Sequence, residues 1–127
     1  MSATFSLAAT VIGAPDPRGL AEFYCTLLGW EVWESEPDWV RIGPRSGTGG
    51  LSFQLEESHV PPAWPAGPGD QQMQVHLDIA VSNLASGVAA AQGLGASLAD
   101  QQPQPDVRVL LDPAGHPFCL FAPSATG

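Results

Sequence analysis

The chain has 127 residues, 44% of them hydrophobic, and a formal net charge of −9 from 13 acidic residues against four arginines and no lysine. The length predicts a single domain able to bury a core, and the acidity excludes the basic patches that nucleic acids and anionic membranes require. The chain carries neither an apolar run long enough to span a bilayer nor a signal peptide, and its two cysteines form no spaced metal or disulfide pattern, so we expect a cytoplasmic protein.

The first part of the chain predicts a strand followed by an amphipathic helix. Leu7–Ile12 is an apolar run of strand length. Asp16 is a good N-cap residue and Pro17 suits the first helical position. Gly29 suits the left-handed position that ends a helix. Between these signals an apolar stripe recurs at helical spacing: Leu20, Phe23, Tyr24, Leu27 and Leu28.

Three strand-like segments follow this helix. Trp30–Glu34 alternates apolar and acidic residues, and Trp39–Ile42 comes after a turn at Pro37-Asp38. The glycine-rich stretch Gly43–Gly50 predicts a hairpin connection. It leads to a strand over Leu51–Leu55, in which apolar and polar residues again alternate.

The same order of elements recurs after residues 58–72, which are rich in proline and glycine and predict a stiff crossover. The second series consists of a strand over Val75–Val81, a cap at Ser82-Asn83, a helix over Leu84–Leu94, a strand over Val107–Leu111, a tight turn over Asp112–Gly115 and a closing strand over Phe118–Phe121.

The chain is therefore a duplicated strand–helix–strands unit, with module one at 5–57, the crossover at 58–72 and module two at 73–122 of a single domain spanning 1–127. One such unit cannot bury its own sheet face, so the two copies should pack on one another or on a partner chain. The concave surface between them is the natural place for a ligand.

Three segments resemble signatures of the vicinal oxygen chelate superfamily. Asp16–Tyr24, followed by Leu27–Trp30, is similar to its first-helix signature, while His76–Val81 and Asp112–Leu120 resemble the start and end of its second module. The chain is similar to the glyoxalase-like branch, which groups glyoxalase, bleomycin-resistance and dioxygenase proteins. The resemblance covers nearly the whole chain, residues 7–122.

The resemblance implies an α+β fold of two tandem βαβββ modules that form a cupped mixed sheet, usually completed by a homodimer. Metal-dependent members carry one ligand on the first strand and one on the last strand of each module, and these positions fall on Ala9, Gln54, His76 and Cys119. Alanine has no donor atom and Gln54 adds no charge, so we expect no cofactor. If a divalent metal is bound, its expected ligands are Gln54, His76 and Cys119.

Period-two alternation places six side chains on the predicted concave surface: Gln54, Glu56, His76, Asp78, Cys119 and Phe121. His76 and Asp78 form a candidate catalytic pair, in which the carboxylate fixes the imidazole as a general base. The alternative is that Asp78 only satisfies backbone groups or solvent. The other four residues are candidate ligand contacts.

Trp33 and Trp39 are the remaining candidate ligand contacts. They flank a stretch with the carboxylates Glu34, Glu36 and Asp38, and aromatic rings beside carboxylates favour a planar aromatic or cationic ligand. The alternative for Trp33 is packing in the core between sheet and helix.

We therefore expect a glyoxalase-like protein that binds a small organic molecule in the cup without an intact metal centre. It would either sequester the molecule or perform metal-free acid–base chemistry. The alternatives are a metal-dependent lyase, isomerase or dioxygenase, and an interaction subunit whose cup is filled. The residues leave open whether the protein is an enzyme. We expect a homodimer, with no nucleic acid and no membrane as partner.

Overall fold

The computed structural model describes residues 2–123. Within this range, neither helix is long and apolar enough to cross a membrane. The elements, in chain order, are β1 Thr10–Ala14, α1 Pro17–Leu28, β2 Glu31–Glu36, β3 Trp39–Gly43, β4 Leu51–Leu55, β5 Leu77–Ala80, α2 Leu84–Gly93, β6 Ser97–Leu98, β7 Val107–Leu111 and β8 Pro117–Phe121.

The chain divides into two compact units, Met1–Glu57 and Ser58–Gly127, each with one helix and one four-stranded sheet. The strand orders are β1-β4-β3-β2 and β5-β8-β7-β6. In both sheets the first strand pairs in parallel with the last, and the remaining pairs are antiparallel. This identical order confirms the predicted duplication and the α+β fold of two βαβββ modules.

In the first unit, α1 covers one face of the sheet with the apolar stripe that its sequence predicts. Tyr24 is buried and its ring stacks on Phe53 of β4, with centroids 5.9 Å apart. Phe23 meets Tyr24 edge to face at 4.9 Å. Val40 and Ile42 of β3 are also buried, so alternate residues of this strand face the helix.

In the second unit, the helix packs through small residues. Gly87 and Ala91 are the buried positions of α2. A Cβ atom added at Gly87 would lie 2.7 Å from a methyl carbon of Val81, so glycine lets the helix lie close to the chain beside it. Phe118 and Leu120 of β8 are buried and supply the bulk that this helix lacks.

The helix signals in the sequence are confirmed. Asp16 caps α1 by accepting a hydrogen bond from the Gly19 N–H at 3.1 Å, and Asn83 caps α2 by accepting from the Ser86 N–H at 2.9 Å. Gly29 has a φ of 67°, the left-handed conformation expected at the end of α1.

The predicted first strand, Leu7–Ile12, is wrong at both ends, because β1 runs from Thr10 to Ala14. Thr10 is opposite Leu51, the first residue of β4, so residues before Thr10 have no partner in that strand. Leu7 is accordingly 90% exposed. In module two, β5 is likewise shorter than the predicted Val75–Val81.

Candidate functional site

Each sheet has one face that its helix leaves uncovered, which we call its open face. In module one, the register places Trp39 beside Gln54 and Arg41 beside Ser52, on the opposite side of the sheet from the buried Val40. In module two, the open face carries these predicted site residues: His76, Asp78, Cys119 and Phe121.

Three of the predicted site residues meet on the open face of module two. His76 and Asp78 lie two residues apart along the same stretch of chain, and His76 Nε2 is 3.3 Å from Asp78 Oδ1. Cys119 is opposite Asp78 in the parallel β5–β8 pair. The imidazole nitrogen, carboxylate oxygen and thiol sulfur of this cluster all lie within 4.8 Å of one another. The side chains of His76 and Asp78 are 42% and 64% exposed, so the cluster is accessible.

The thiol of this cluster is held in its neutral form. Burial raises the pKa of Cys119 above the ordinary thiol value. The Asp78 carboxylate raises the pKa further, because it repels the thiolate and accepts a hydrogen bond from the thiol. Cys119 is therefore a hydrogen-bond donor near neutral pH, which argues against a role as a nucleophile.

Replacing Asp78 with asparagine is expected to lower the pKa of Cys119, because it removes the negative charge that disfavours the thiolate. In a Cys25→Ala background, the midpoint of alkylation by iodoacetamide should move to lower pH, and the rate at pH 8 should rise. In a Cys119→Ala background the same substitution should leave the reactivity of Cys25 unchanged, since burial raises the pKa of that thiol. An unchanged midpoint for Cys119 would contradict the described contact.

Phe121, Gln54 and Glu56 occupy other parts of the open faces. Phe121 is opposite Ala80, two positions along β8 from Cys119. Gln54 is opposite Trp39 on one side and Gly13 on the other. The Cβ atom of Glu56 lies 3.4 Å from where a side chain on Gly13 would begin, so the glycine leaves room for it.

Trp33 packs on the open face of module one, so the expected alternative of packing between sheet and helix is wrong. A Cβ atom built on Gly43 would lie 2.1 Å from a ring carbon of Trp33, and one on Gly50 would lie 2.7 Å from another. Gly43 shares its face of β3 with Trp39 and Arg41. The two glycines thus let the indole ring lie directly against the backbone.

Arg41 is a site residue that the sequence reasoning missed. Its guanidinium carbon lies 5.7 Å from the centre of the Trp33 ring, within cation–π range. The signal was present in the alternation of β3, because Arg41 stands between the buried Val40 and Ile42 and must face the other way.

The two modules can be aligned through their helix caps and registers. Ala9 and His76 each lie seven positions before the cap residue of their module, Asp16 or Asn83. The described structure thus keeps the predicted correspondence of Ala9 with His76.

The last strands align differently from the sequence-based placement. Gln54 is opposite Gly13, and Phe121 is opposite Ala80. Gly13 and Ala80 each lie three positions before the helix cap of their module, so Gln54 corresponds to Phe121. Two positions earlier along each strand, Ser52 corresponds to Cys119. Module one therefore offers neither an imidazole nor a carboxylate at the positions that match His76 and Cys119, so the residues present do not fit a centre with ligands from both modules.

Comparisons with known proteins agree with this fold. The glyoxalase-like domain family matches residues 9–121. A glyoxalase/bleomycin resistance protein/dioxygenase family enzyme from Burkholderia phytofirmans PsJN is 19% identical, with 90% of this chain and 95% of that chain covered and a TM-score of 0.67. No curated protein matches the chain by sequence.

Two further solved structures are those of a bleomycin-binding protein and a fosfomycin resistance protein. The bleomycin-binding protein of bleomycin-producing Streptomyces verticillus, solved with copper(II)-bleomycin, is 18% identical, with 97% of this chain and all of that chain covered and a TM-score of 0.56. The fosfomycin resistance protein FosX of Listeria monocytogenes is 12% identical, with 98% of both chains covered and a TM-score of 0.67. The solved structures share the fold of this chain, and the family match over most of its length shows that the chain belongs to the glyoxalase-like domain family.

Proposed function

We propose that this protein binds a small organic molecule through the open faces of its sheets, without a metal centre of the superfamily type. The observation that carries the proposal is the open face of module one, where Trp39 adjoins Gln54 and Trp33 adjoins Arg41. Half-exposed aromatic rings beside polar groups are the composition of small-molecule sites. The structural neighbours from S. verticillus and L. monocytogenes, a bleomycin-binding protein and a fosfomycin resistance protein, support a small-molecule ligand.

The open face of module one supports binding, and the open face of module two carries one acid–base pair, His76 and Asp78. Sequestration of a small organic molecule requires only that it binds to an open face. His76, held 3.3 Å from Asp78, would serve as a general base in any metal-free reaction, because the carboxylate orients the imidazole. Cys119 would donate a hydrogen bond to Asp78 rather than attack a substrate.

A metal-dependent lyase, isomerase or dioxygenase is the second candidate function, and one observation favours it. His76, Asp78 and Cys119 bring a nitrogen, an oxygen and a sulfur within 4.8 Å of one another, as a three-ligand site requires. This set includes Asp78 in place of the Gln54 expected from the sequence. Ligand binding would have to overcome the raised pKa of the Cys119 thiol.

Protein purified from rich medium and dialysed against plain buffer is expected to carry no stoichiometric divalent metal. The reason is that Ala9 and Ser52 leave the module-one half of the centre without strong ligands. Elemental analysis checks this. About one zinc, nickel, iron or manganese ion per chain would favour the second candidate, and the His76→Ala variant should then lose that metal.

The binding proposal is tested by titrating a panel of neutral and charged aromatic molecules while recording tryptophan fluorescence. A binding compound should lose up to about tenfold in affinity in the Trp39→Phe or Gln54→Ala variant, the size of one stacking contact or hydrogen bond. Thr26→Ala, an exposed change on α1, is the control and should leave affinity unchanged. A panel without any binding compound, with thermal unfolding unaffected throughout, would contradict the proposal.

We also propose that the protein is a cytoplasmic homodimer. Phe5 is 94% exposed, Leu7 is 90% exposed and Val11 is 44% exposed. Such exposed apolar side chains suit a protein that buries apolar surface on a partner. Both described cysteines are unpaired, as is usual in a reducing compartment. Light scattering at micromolar concentration should give twice the chain mass, and fractionation of the native cell checks the compartment. A monomer mass would contradict the dimer.

A further inference from the structure

Arg41 differs from the other three arginines in what its guanidinium contacts. Arg18 donates to the Ser35 hydroxyl at 3.1 Å, Arg45 pairs with Glu31 at 3.0 Å, and Arg108 donates to backbone carbonyls of its own loop at 2.9 Å. Among residues 2–123, the Arg41 guanidinium makes no hydrogen bond within 3.5 Å and no ion pair within 4.0 Å. Its five N–H donors are therefore available to a ligand.

The Arg41 guanidinium lies over the Trp33 ring on a half-buried part of the sheet. The residue is half-buried in β3 and lies across from Ser52 of β4, which is only 1% exposed. Its partner Trp33 cannot turn inward, because its ring already rests against Gly43 and Gly50. A cation fixed on a partly buried surface binds an anion more strongly than one on a free side chain, because less water screens the charge and fewer rotamers are lost.

We infer that Arg41 binds the anionic group, a carboxylate or phosphonate, of an aromatic ligand whose ring lies along Trp39. This inference rests on the proposed function and names the ligand class of that site. A guanidinium donates two parallel hydrogen bonds to such a group, and Trp39 is the next residue on the same face of β3. The inference replaces the cationic ligand expected from Glu34, Glu36 and Asp38, because the Arg41 guanidinium lies 5.7 Å from the ring centre of the half-buried Trp33, whereas the three carboxylates are exposed.

Glu34 and Glu36 oppose anion binding, because the β2–β3 register places them opposite Arg41 and Trp39. Both are exposed, and Glu34 forms no ion pair with Arg41 within 4.0 Å. The net charge of −9 likewise repels anions at long range. An anion is therefore expected to bind only where a local cation offsets this field, and removing the Glu34 charge should strengthen binding.

The inference is tested with four probes of similar shape: benzoate, phenylphosphonate, neutral benzamide and cationic phenyltrimethylammonium. Affinities come from shifts of the indole N–H signals in nitrogen–proton correlation spectra, with the Trp33 and Trp39 signals assigned by substitution with phenylalanine. At least one anion should bind about tenfold more tightly than benzamide, as expected for a charge-assisted hydrogen bond. Whichever anion binds more tightly identifies carboxylate or phosphonate as the preferred group.

Variants separate the inference from the proposed function. Arg41→Gln should abolish the preference for the anion, Glu34→Gln should increase it, and Arg45→Gln, which breaks the surface ion pair with Glu31, should leave it unchanged. Arg41→Lys keeps the charge and should retain part of the preference, and dispersed amide signals show that each variant is folded. The inference is wrong if neither anion shifts the indole signals, if either uncharged or cationic probe binds as tightly, or if Arg41→Gln keeps the preference. Binding of benzamide or phenyltrimethylammonium alone would overturn it while leaving the proposed function intact.

Discussion

Replacing Phe53 with alanine is expected to lower the free energy of unfolding by about 3–5 kcal/mol, the usual cost of removing a fully buried phenylalanine. Phe53 has no exposed surface and stacks on Tyr24 with centroids 5.9 Å apart. It also lies in β4, between β1 and β3, so the surrounding backbone cannot easily collapse into the cavity. A loss of this size would consume much of the stability of an ordinary domain.

Urea unfolding followed by circular dichroism measures this loss. Val60→Ala is the control, because Val60 is 58% exposed and its truncation should change the free energy of unfolding by less than about 0.5 kcal/mol. Equal, small effects of the two substitutions would show that the Tyr24–Phe53 stack is not the centre of the module-one core.

Replacing Gly43 with alanine is expected to displace Trp33 and to cost about 1–3 kcal/mol, the typical penalty for overpacking. The added Cβ atom would lie 2.1 Å from a ring carbon of Trp33, closer than any real contact. Since Gly43 does not have a positive φ, the effect comes from the clash and not from backbone strain. The freed indole should become more exposed to water, and its fluorescence should move to longer wavelength.

Gly93→Ala is the control for this substitution. Gly93 ends α2 with no atom within 4 Å of an added Cβ, so alanine there should leave stability unchanged or raise it by up to about 1 kcal/mol. If Gly43→Ala retained both the stability and the emission wavelength of the native chain, Trp33 would not pack on the backbone as described. The anion preference assigned to Arg41 would then lose its rigid support.

The sequence contained most of the information that sets the fold. Helix α1 was predictable because its signals are local: Asp16, Pro17 and Gly29 fix its ends, and the stripe between them fixes its buried face. The limits of β1 were not predictable in this way, because they depend on where β4 begins. A strand ends where its partner ends, and the partner of Thr10 is Leu51, remote in the chain.

The same distinction between local signals and long-range pairing applies to the candidate site. His76 and Asp78 were predictable neighbours, since residues two apart on a strand share a face. That Cys119 is opposite Asp78 required the register of a parallel pair, which alternation alone does not give. The contact of Arg41 with Trp33 was harder to predict, because the position of the ring depends on a register shift between Val32 and Glu34 and on two glycines, Gly43 at the end of β3 and Gly50 just before β4.

The strand order β5-β8-β7-β6 also has a consequence for synthesis on the ribosome. Of the strands in residues 2–123, β8 is made last, yet it lies inside its sheet and is the strand through which β5 and β7 are joined. Until Pro117–Phe121 has emerged, β5 has no partner in that sheet and Asp78 has no Cys119 beside it. The His76–Asp78–Cys119 cluster therefore assembles only after β8 has left the ribosome, and a chain terminated before β8 would be unable to bind through it.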